Sequence, residues 1–421
     1  MGERVTVIGG GIIGLTSAWY LQQAGHRVTV VERGGRDRTG TSYGNAGMLV
    51  PSHFVPMAAP GVIAQGIRWM ANPKSPFYIK PRLSPALASW GYRFWRASTR
   101  AHVERSGPLL LHLNRAGVAA YRELAEELPG DFLLREGGLF MLCNTEKGLE
   151  EEAALAEQAN ALGLPARVLS AAETQALEPD MPLDIVGSVL WTEDGHLDPG
   201  LFMRSLQDAL IEGGTEFLFD TTVTGVRRAG DRIAAISTSV GELDSDTFVL
   251  AAGIWSESLA RNLGLQLPME AGKGYSMTLQ GMEKNLRHPA LLAEARAAIT
   301  PMGTNLRVGG TMEMSGITEG VNPTRVEGII DSALRYLPSL DRAALEASDV
   351  WHGFRPCSPD GLPYLGRSAG VSNLVVATGH SMMGVSLGPV SGRIVSQIVA
   401  GEEPETDITA LSPDRYTRLR I

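Results

Sequence analysis

Hydrophobic positions along this chain repeat three times as an apolar run, a glycine-rich turn and a helical spacing. Val5 to Ile8 is an apolar run that meets Gly9, and the residues from Ile12 onward carry helix-forming apolar side chains before a second run, Val28 to Val31. The same order returns at TFVLAAG, residues 247–253, and at NLVVATGHSMMGVSLGP, where a helix is predicted from about Leu387 to Val399 with Gly401 at its end. Between these units the pattern is different. Residues 138–143 and 187–191 read as buried strands, 216–228, 232–240 and 246–251 as further strands, and 267–314 as a strand-rich stretch. Helices are predicted over 109–128, over 146–162 with Gly163 as terminator, from Asp198-Pro199 onward, and over much of 321–337. Residues 51–108 hold too many prolines to form one regular element, although Leu83, Leu87, Trp90 and Phe94 fall at helical spacing.

The first unit carries chemistry. Gly9, Gly11 and Gly14 form G-x-G-x-x-G directly after a strand and at the head of a helix, and Glu32 ends the following strand. In that context the first glycine permits a tight turn, the second lets backbone approach a diphosphate, and the third lets helix and strand pack closely. The helix start offers free N–H groups and partial positive charge to phosphates, and the acid can accept hydrogen bonds from ribose hydroxyls. A dinucleotide site follows. Its repetition far downstream implies a nucleotide domain assembled from separated segments. The expected fold class is therefore α/β, a Rossmann-like domain built discontinuously, with an α+β second domain on a mixed or antiparallel sheet.

Composition narrows the partners. A net charge of −9 argues against nucleic acid. The first strand begins at Val5, which leaves no room for a leader peptide, and no apolar run is long enough to span a bilayer, so a cytoplasmic protein is expected. Cys143 and Cys357 are far apart and lack C-x-x-C spacing, which predicts free thiols. No metal-ligand spacing is present.

Three separated pieces resemble one family. The N-terminal unit, FVLAAGIWS, and GFRPCSPDGLPYLG followed by TGHSMMGVSLGP are similar to the D-amino acid oxidase superfamily of FAD-dependent oxidoreductases, and TSYGNAGML and GKGYSMTL resemble its bacterial D-amino acid dehydrogenase branch. The resemblance implies non-covalent FAD, held by Gly9, Gly11, Ile12, Ile13 and Gly14 at the diphosphate and by Glu32 and Arg33 at the adenosine. It implies Thr41 and Ser42 at the phosphates, and Asn45, Ala46, Gly47 and Met48 along the flavin. Val223 would contact the adenine side, Ala252 and Gly253 would close the pocket with Trp255 also at the cofactor, and Gly379, His380, Met382, Met383, Gly384 and Val385 would stand at the flavin's pyrimidine edge. Arg355 would bind the substrate carboxylate. Tyr275 is a second carboxylate donor or a buried wall residue, and His53 and His380 would line the pocket. The implied domains are 1–50, 188–268 and 355–421 for FAD, with 51–187 and 269–354 for substrate.

The implied reaction is oxidation of a D-amino acid, or a secondary amine such as a hydroxyproline, to an imino acid that hydrolyses to a 2-oxo acid. A glycine- or sarcosine-type oxidase using oxygen and an FAD-linked 2-hydroxy acid dehydrogenase remain open alternatives. The electron acceptor is a quinone, an electron-transfer partner or oxygen. The stripe at 83–94 reads either as core or, with Arg68, Arg93, Arg96 and Arg100 nearby, as a peripheral contact with the inner membrane.

Overall fold

A computed structural model of the chain describes residues 2–417. Five parallel strands and one antiparallel strand form a six-stranded sheet in the order Glu216–Leu218, Arg27–Val31, Arg4–Ile8, Thr247–Leu250, Leu374–Thr378, Tyr364–Arg367. Register aligns Ile8 with Leu250 and Leu250 with Val376, so the three glycine turns leave one edge of the sheet side by side. That carboxyl edge is where ligands bind in sheets of this kind. The helix Ile12–Gln23 is buried along nearly its whole length because the helix Gly388–Ala400 covers it. The two approach so closely that a Cβ on Gly392 would meet Thr16 backbone at 2.5 Å, and Thr16 Oγ1 donates to Gly388 O at 2.8 Å.

The second sheet has nine strands and is mixed. Trp351–Cys357, Glu270–Leu279, Asn305–Met314 and Ala297–Met302 run antiparallel, whereas Ala290–Leu292 and Leu139–Cys143 pair in parallel. Gly187–Trp191 and Trp351–Cys357 each straddle a domain boundary drawn from sequence, and both belong to this sheet in full. The helix Pro323–Tyr336 packs its apolar face on one side of the sheet.

Two element expectations need correction. The segment 216–228 is broken at Asp220, whose φ of 51° turns the chain out of the six-stranded sheet, and Val223–Ala229 joins a separate antiparallel sheet. The helix expected at 109–128 starts at Arg100, with Thr99 accepting the His102 N–H as its cap, and runs through Pro108 to Glu127. An internal proline costs a helix about 3 kcal/mol. Burial of Leu110, Leu111, Leu113, Val118 and Leu124 outweighs it. The apolar stripe divides: Trp90 is buried and donates Nε1–H to Cys357 O at 2.8 Å, while Leu83 is fully exposed. Both cysteines are free and buried.

Candidate functional site

At the shared edge of the six-stranded sheet, the first glycine turn is built by exclusion of side chains. Gly9 has φ of 108°, and a Cβ there would stand 2.6 Å from Ala251 O. A Cβ on Gly14 would lie 1.8 Å from Gly9 O, so this glycine fixes how tightly helix and strand pack. Gly11 starts the helix with no side-chain cap of its own. Ser42 Oγ accepts the Ile12 N–H at 3.1 Å, which places a hydroxyl at the helix start. Glu32 closes the other side, its two carboxylate oxygens accepting from Gly10 N at 2.7 Å and Gly34 N at 2.8 Å. Arg33 lies 3.5 Å over the Trp255 ring.

A cavity of about 400 Å³ joins these parts to the other two turns. Gly9, Gly11, Ile12, Ile13, Glu32, Arg33, Thr41, Ser42 and Asn45 line it, as do Val223, Ala252, Gly253, Trp255, Gly379, His380, Gly384, Val385 and Arg355. These are the residues that the sequence groups around a dinucleotide and a carboxylate. Their chemistry suits FAD: a glycine turn with a hydroxyl at the helix start for a diphosphate, an acid for a ribose, a stacked pair at one end, and a third turn where Gly379 and Ser381 both hold positive φ.

Arg355 enters the cavity from the nine-stranded sheet. Its Nη1 donates to Thr311 O at 2.7 Å, and among the described residues it meets no carboxylate. Burial lowers its pKa from the usual value, yet a guanidinium stays protonated in proteins. Thr311 holds φ of 69°, a strained conformation for a β-branched residue, which presents its carbonyl to the guanidinium. Pairing sets Gly272 opposite Arg355 and Gly274 opposite Gly353. A Cβ on Gly274 would lie 2.4 Å from Arg355 Nη1, so the glycine makes the room that the guanidinium fills.

Other expected residues stand elsewhere. Tyr275 is on the opposite strand face from Gly274, buried in the core, with its hydroxyl donating to Glu313 Oε2 at 3.0 Å. It lies outside the cavity, and its hydroxyl is already committed. His53 also lies outside the cavity lining; its Nδ1 is 3.0 Å from Ser52 Oγ, and burial with nearby Arg296 lowers its pKa to about 4. His380 does line the cavity. Burial lowers its pKa to about 3, so it is neutral; Nε2 meets Ser391 Oγ at 3.0 Å and Nδ1 has no partner among the described residues. Ala46, Gly47 and Met48 turn away from the cavity, with Met48 paired to His196, and Met383 is in the core. Met382 is 47% exposed. Gly14 acts behind the turn rather than in its lining.

Several residues that shape the site carry no local sequence signal. Arg307 donates to Tyr43 O at 3.1 Å and Asn45 O at 2.7 Å, and Trp351 Nε1 donates to Thr39 O at 2.9 Å. Together they pin the 39–45 loop to the nine-stranded sheet. Thr41 Oγ1 adds a clamp on Phe354, accepting its N–H at 3.2 Å. Gly274 does have a signal, the alternation of Gly272 and Gly274 along one strand face.

Comparison with known proteins agrees with this geometry. The model of the DAO family, FAD dependent oxidoreductase, matches residues 4–398. A D-amino acid dehydrogenase of Methylobacterium radiotolerans is 33% identical over 419 residues, covering 98% of this chain and 99% of its own. One of Granulibacter bethesdensis is 32% identical over 420 residues, with 98% and 99% covered. The crystal structure of glycine oxidase from Geobacillus kaustophilus superposes with a TM-score of 0.78 at 24% identity, covering 98% of this chain and 99% of that one, and shares its fold.

Proposed function

The chain belongs to the FAD-dependent oxidoreductase family, and on that premise we propose that it dehydrogenates D-amino acids, or related cyclic secondary amines, at Cα. Bound FAD supplies the acceptor for the two electrons of the broken C–H bond. The observation that carries the substrate class is Arg355, a half-buried guanidinium in the wall of the dinucleotide cavity that no carboxylate neutralises among the described residues. A planar fork of this kind binds a planar carboxylate through two parallel charge-assisted bonds. Arg355 thus fixes one end of the substrate and positions Cα for transfer. His53 lies outside the cavity lining and His380 Nε2 is engaged by Ser391, and an amine that arrives unprotonated requires no base. The imino acid then hydrolyses to a 2-oxo acid. Neither cysteine lines the cavity, which supports non-covalent FAD.

Anaerobic mixing with a panel of D- and L-amino acids, prolines, N-methylglycine and 2-hydroxy acids tests this reading. Bleaching of the yellow colour is expected with D-amino or cyclic imino acids and absent with L-isomers. Bleaching by 2-hydroxy acids alone sinks it, and stoichiometric peroxide in air moves the protein to the oxidases.

For the acceptor we propose a quinone reached at the cytoplasmic face of the inner membrane. Two short helices, Val62–Met70 and Pro85–Ala97, expose Ile67, Met70, Tyr92 and Trp95 beside Arg68, Arg93 and Arg96. Ile63, Ile67, Trp95 and Arg96 line a shallow depression between them. No helix among the described residues is long and apolar enough to cross a membrane, so contact would be peripheral. Wild type should sediment with phosphatidylglycerol vesicles. Ile67→Ser with Trp95→Ser should weaken that binding roughly a hundredfold or more, since each buried side chain contributes about 1.5–3 kcal/mol. Wild type that stays in the supernatant at every lipid concentration removes this proposal.

A further inference from the structure

The dinucleotide cavity brings like charges together. Glu32, the acid of the ribose end, lies against Gly10 inside the same turn that faces the diphosphate. FAD brings two more negative charges to that turn, and a helix terminus offers only about half a positive charge. Three cations line the cavity among the described residues: Arg33, Arg38 and Arg355. Arg33 is stacked on Trp255, and Arg355 enters from the other sheet.

Arg38 is at the turn itself. Its side chain is 7% exposed, Nη2 donates to Gly10 O, and Nη1 donates to Gln207 Oε1 at 2.6 Å. Its Nε is 3.8 Å from Glu32 Oε2. A Cβ on Gly10 would stand 2.9 Å from Arg38 Nη2 and 3.1 Å from Glu32 Oε2, so the middle glycine of the turn is the size that admits both side chains. We infer that Arg38 is a cofactor-binding residue, the counter-charge that lets the Glu32 carboxylate and the diphosphate of FAD share one cavity. This rests on the FAD reading above.

The test is release of FAD on dilution of purified holoenzyme, read by flavin fluorescence, for wild type, Arg38→Gln, Arg38→Lys, Glu32→Gln and the double variant Arg38→Gln with Glu32→Gln. Arg38→Gln should raise the FAD dissociation constant about 30-fold, the scale of one lost hydrogen bond to a charged group. Arg38→Lys keeps the charge and should stay within about fivefold of wild type. The double variant should hold FAD more tightly than Arg38→Gln alone, because removing the acid relieves the exposed repulsion. A merely structural role predicts the reverse: Lys as damaging as Gln, and a double variant no tighter than the single. Either result, or wild-type retention in Arg38→Gln, overturns the inference. If Arg38→Gln yields no folded protein, Arg38→Lys decides, and a loss of about 30-fold there overturns it equally. Wild type purified without flavin would instead sink the cofactor reading itself.

Discussion

Arg355→Ala should lower kcat/KM for a D-amino acid by about a thousandfold and leave the protein yellow. Each hydrogen bond to a charged partner is worth about 1.5–3 kcal/mol, and a bidentate grip contributes two. The resulting loss of about 3–6 kcal/mol corresponds to between roughly two and four powers of ten. KM should carry much of it, because the carboxylate is gripped before and during transfer alike. The rate at saturation should fall too, because an unanchored Cα samples unproductive poses. Arg355→Lys should recover part of KM and little of kcat, since an ammonium keeps the charge but not the fork. Steady-state kinetics beside the flavin absorption spectrum separate these outcomes. Full turnover by a yellow Arg355→Ala would remove this residue from substrate binding. Over the working range of pH the grip should not itself titrate, because a guanidinium stays protonated in proteins even where burial lowers its pKa from a starting value far above neutrality.

The cofactor side of the site was legible because its signal is local. Gly9, Gly11, Gly14 and Glu32 belong to one strand–turn–helix–strand unit, and Gly9 and Gly14 answer steric demands made by the adjoining strand at Ala251 and by the turn itself. Family membership across residues 4–398 bears out the resemblance drawn from three separated segments, and the FAD-binding fold with it. The substrate side was less legible because its contacts cross between strands. Tyr275 was singled out from the same phrase that holds Gly274, but strand alternation turns the two to opposite faces, and sequence does not say which face meets the cavity. Pairing with Trp351–Cys357 decides it: Arg355 shares a face with the glycines, and Tyr275 goes to the core. Arg307 and Trp351 are likewise invisible as single residues in strand-rich sequence. They matter because they fasten the 39–45 loop to a sheet formed by distant segments. Arg38 was passed over in a run of loop-forming residues, where charge alone gives no direction.

Gly274→Ala should disable the enzyme while leaving it folded and yellow. A Cβ at 274 would lie 2.4 to 2.6 Å from Nη1, Nη2 and Cζ of Arg355, far inside contact distance. Gly274 is not among the glycines with positive φ, so alanine meets no backbone strain there. What must move is the far end of a flexible arginine, which the fold can survive. A displacement of about 1 Å at a reacting geometry can lower the rate about a hundredfold, and kcat/KM should fall by that order. The melting temperature should change by no more than a few degrees. Gly14→Ala makes the contrast, because there the added atom would meet backbone, 1.8 Å from Gly9 O, and flavin content should collapse with stability. Coupling gives the sharper test. If Gly274 acts through Arg355, adding Gly274→Ala to Arg355→Ala should produce little further loss, whereas independent roles would multiply. Near-wild-type kinetics for Gly274→Ala would show that the guanidinium finds a second productive position, and that the narrow space between the paired strands does not set its aim.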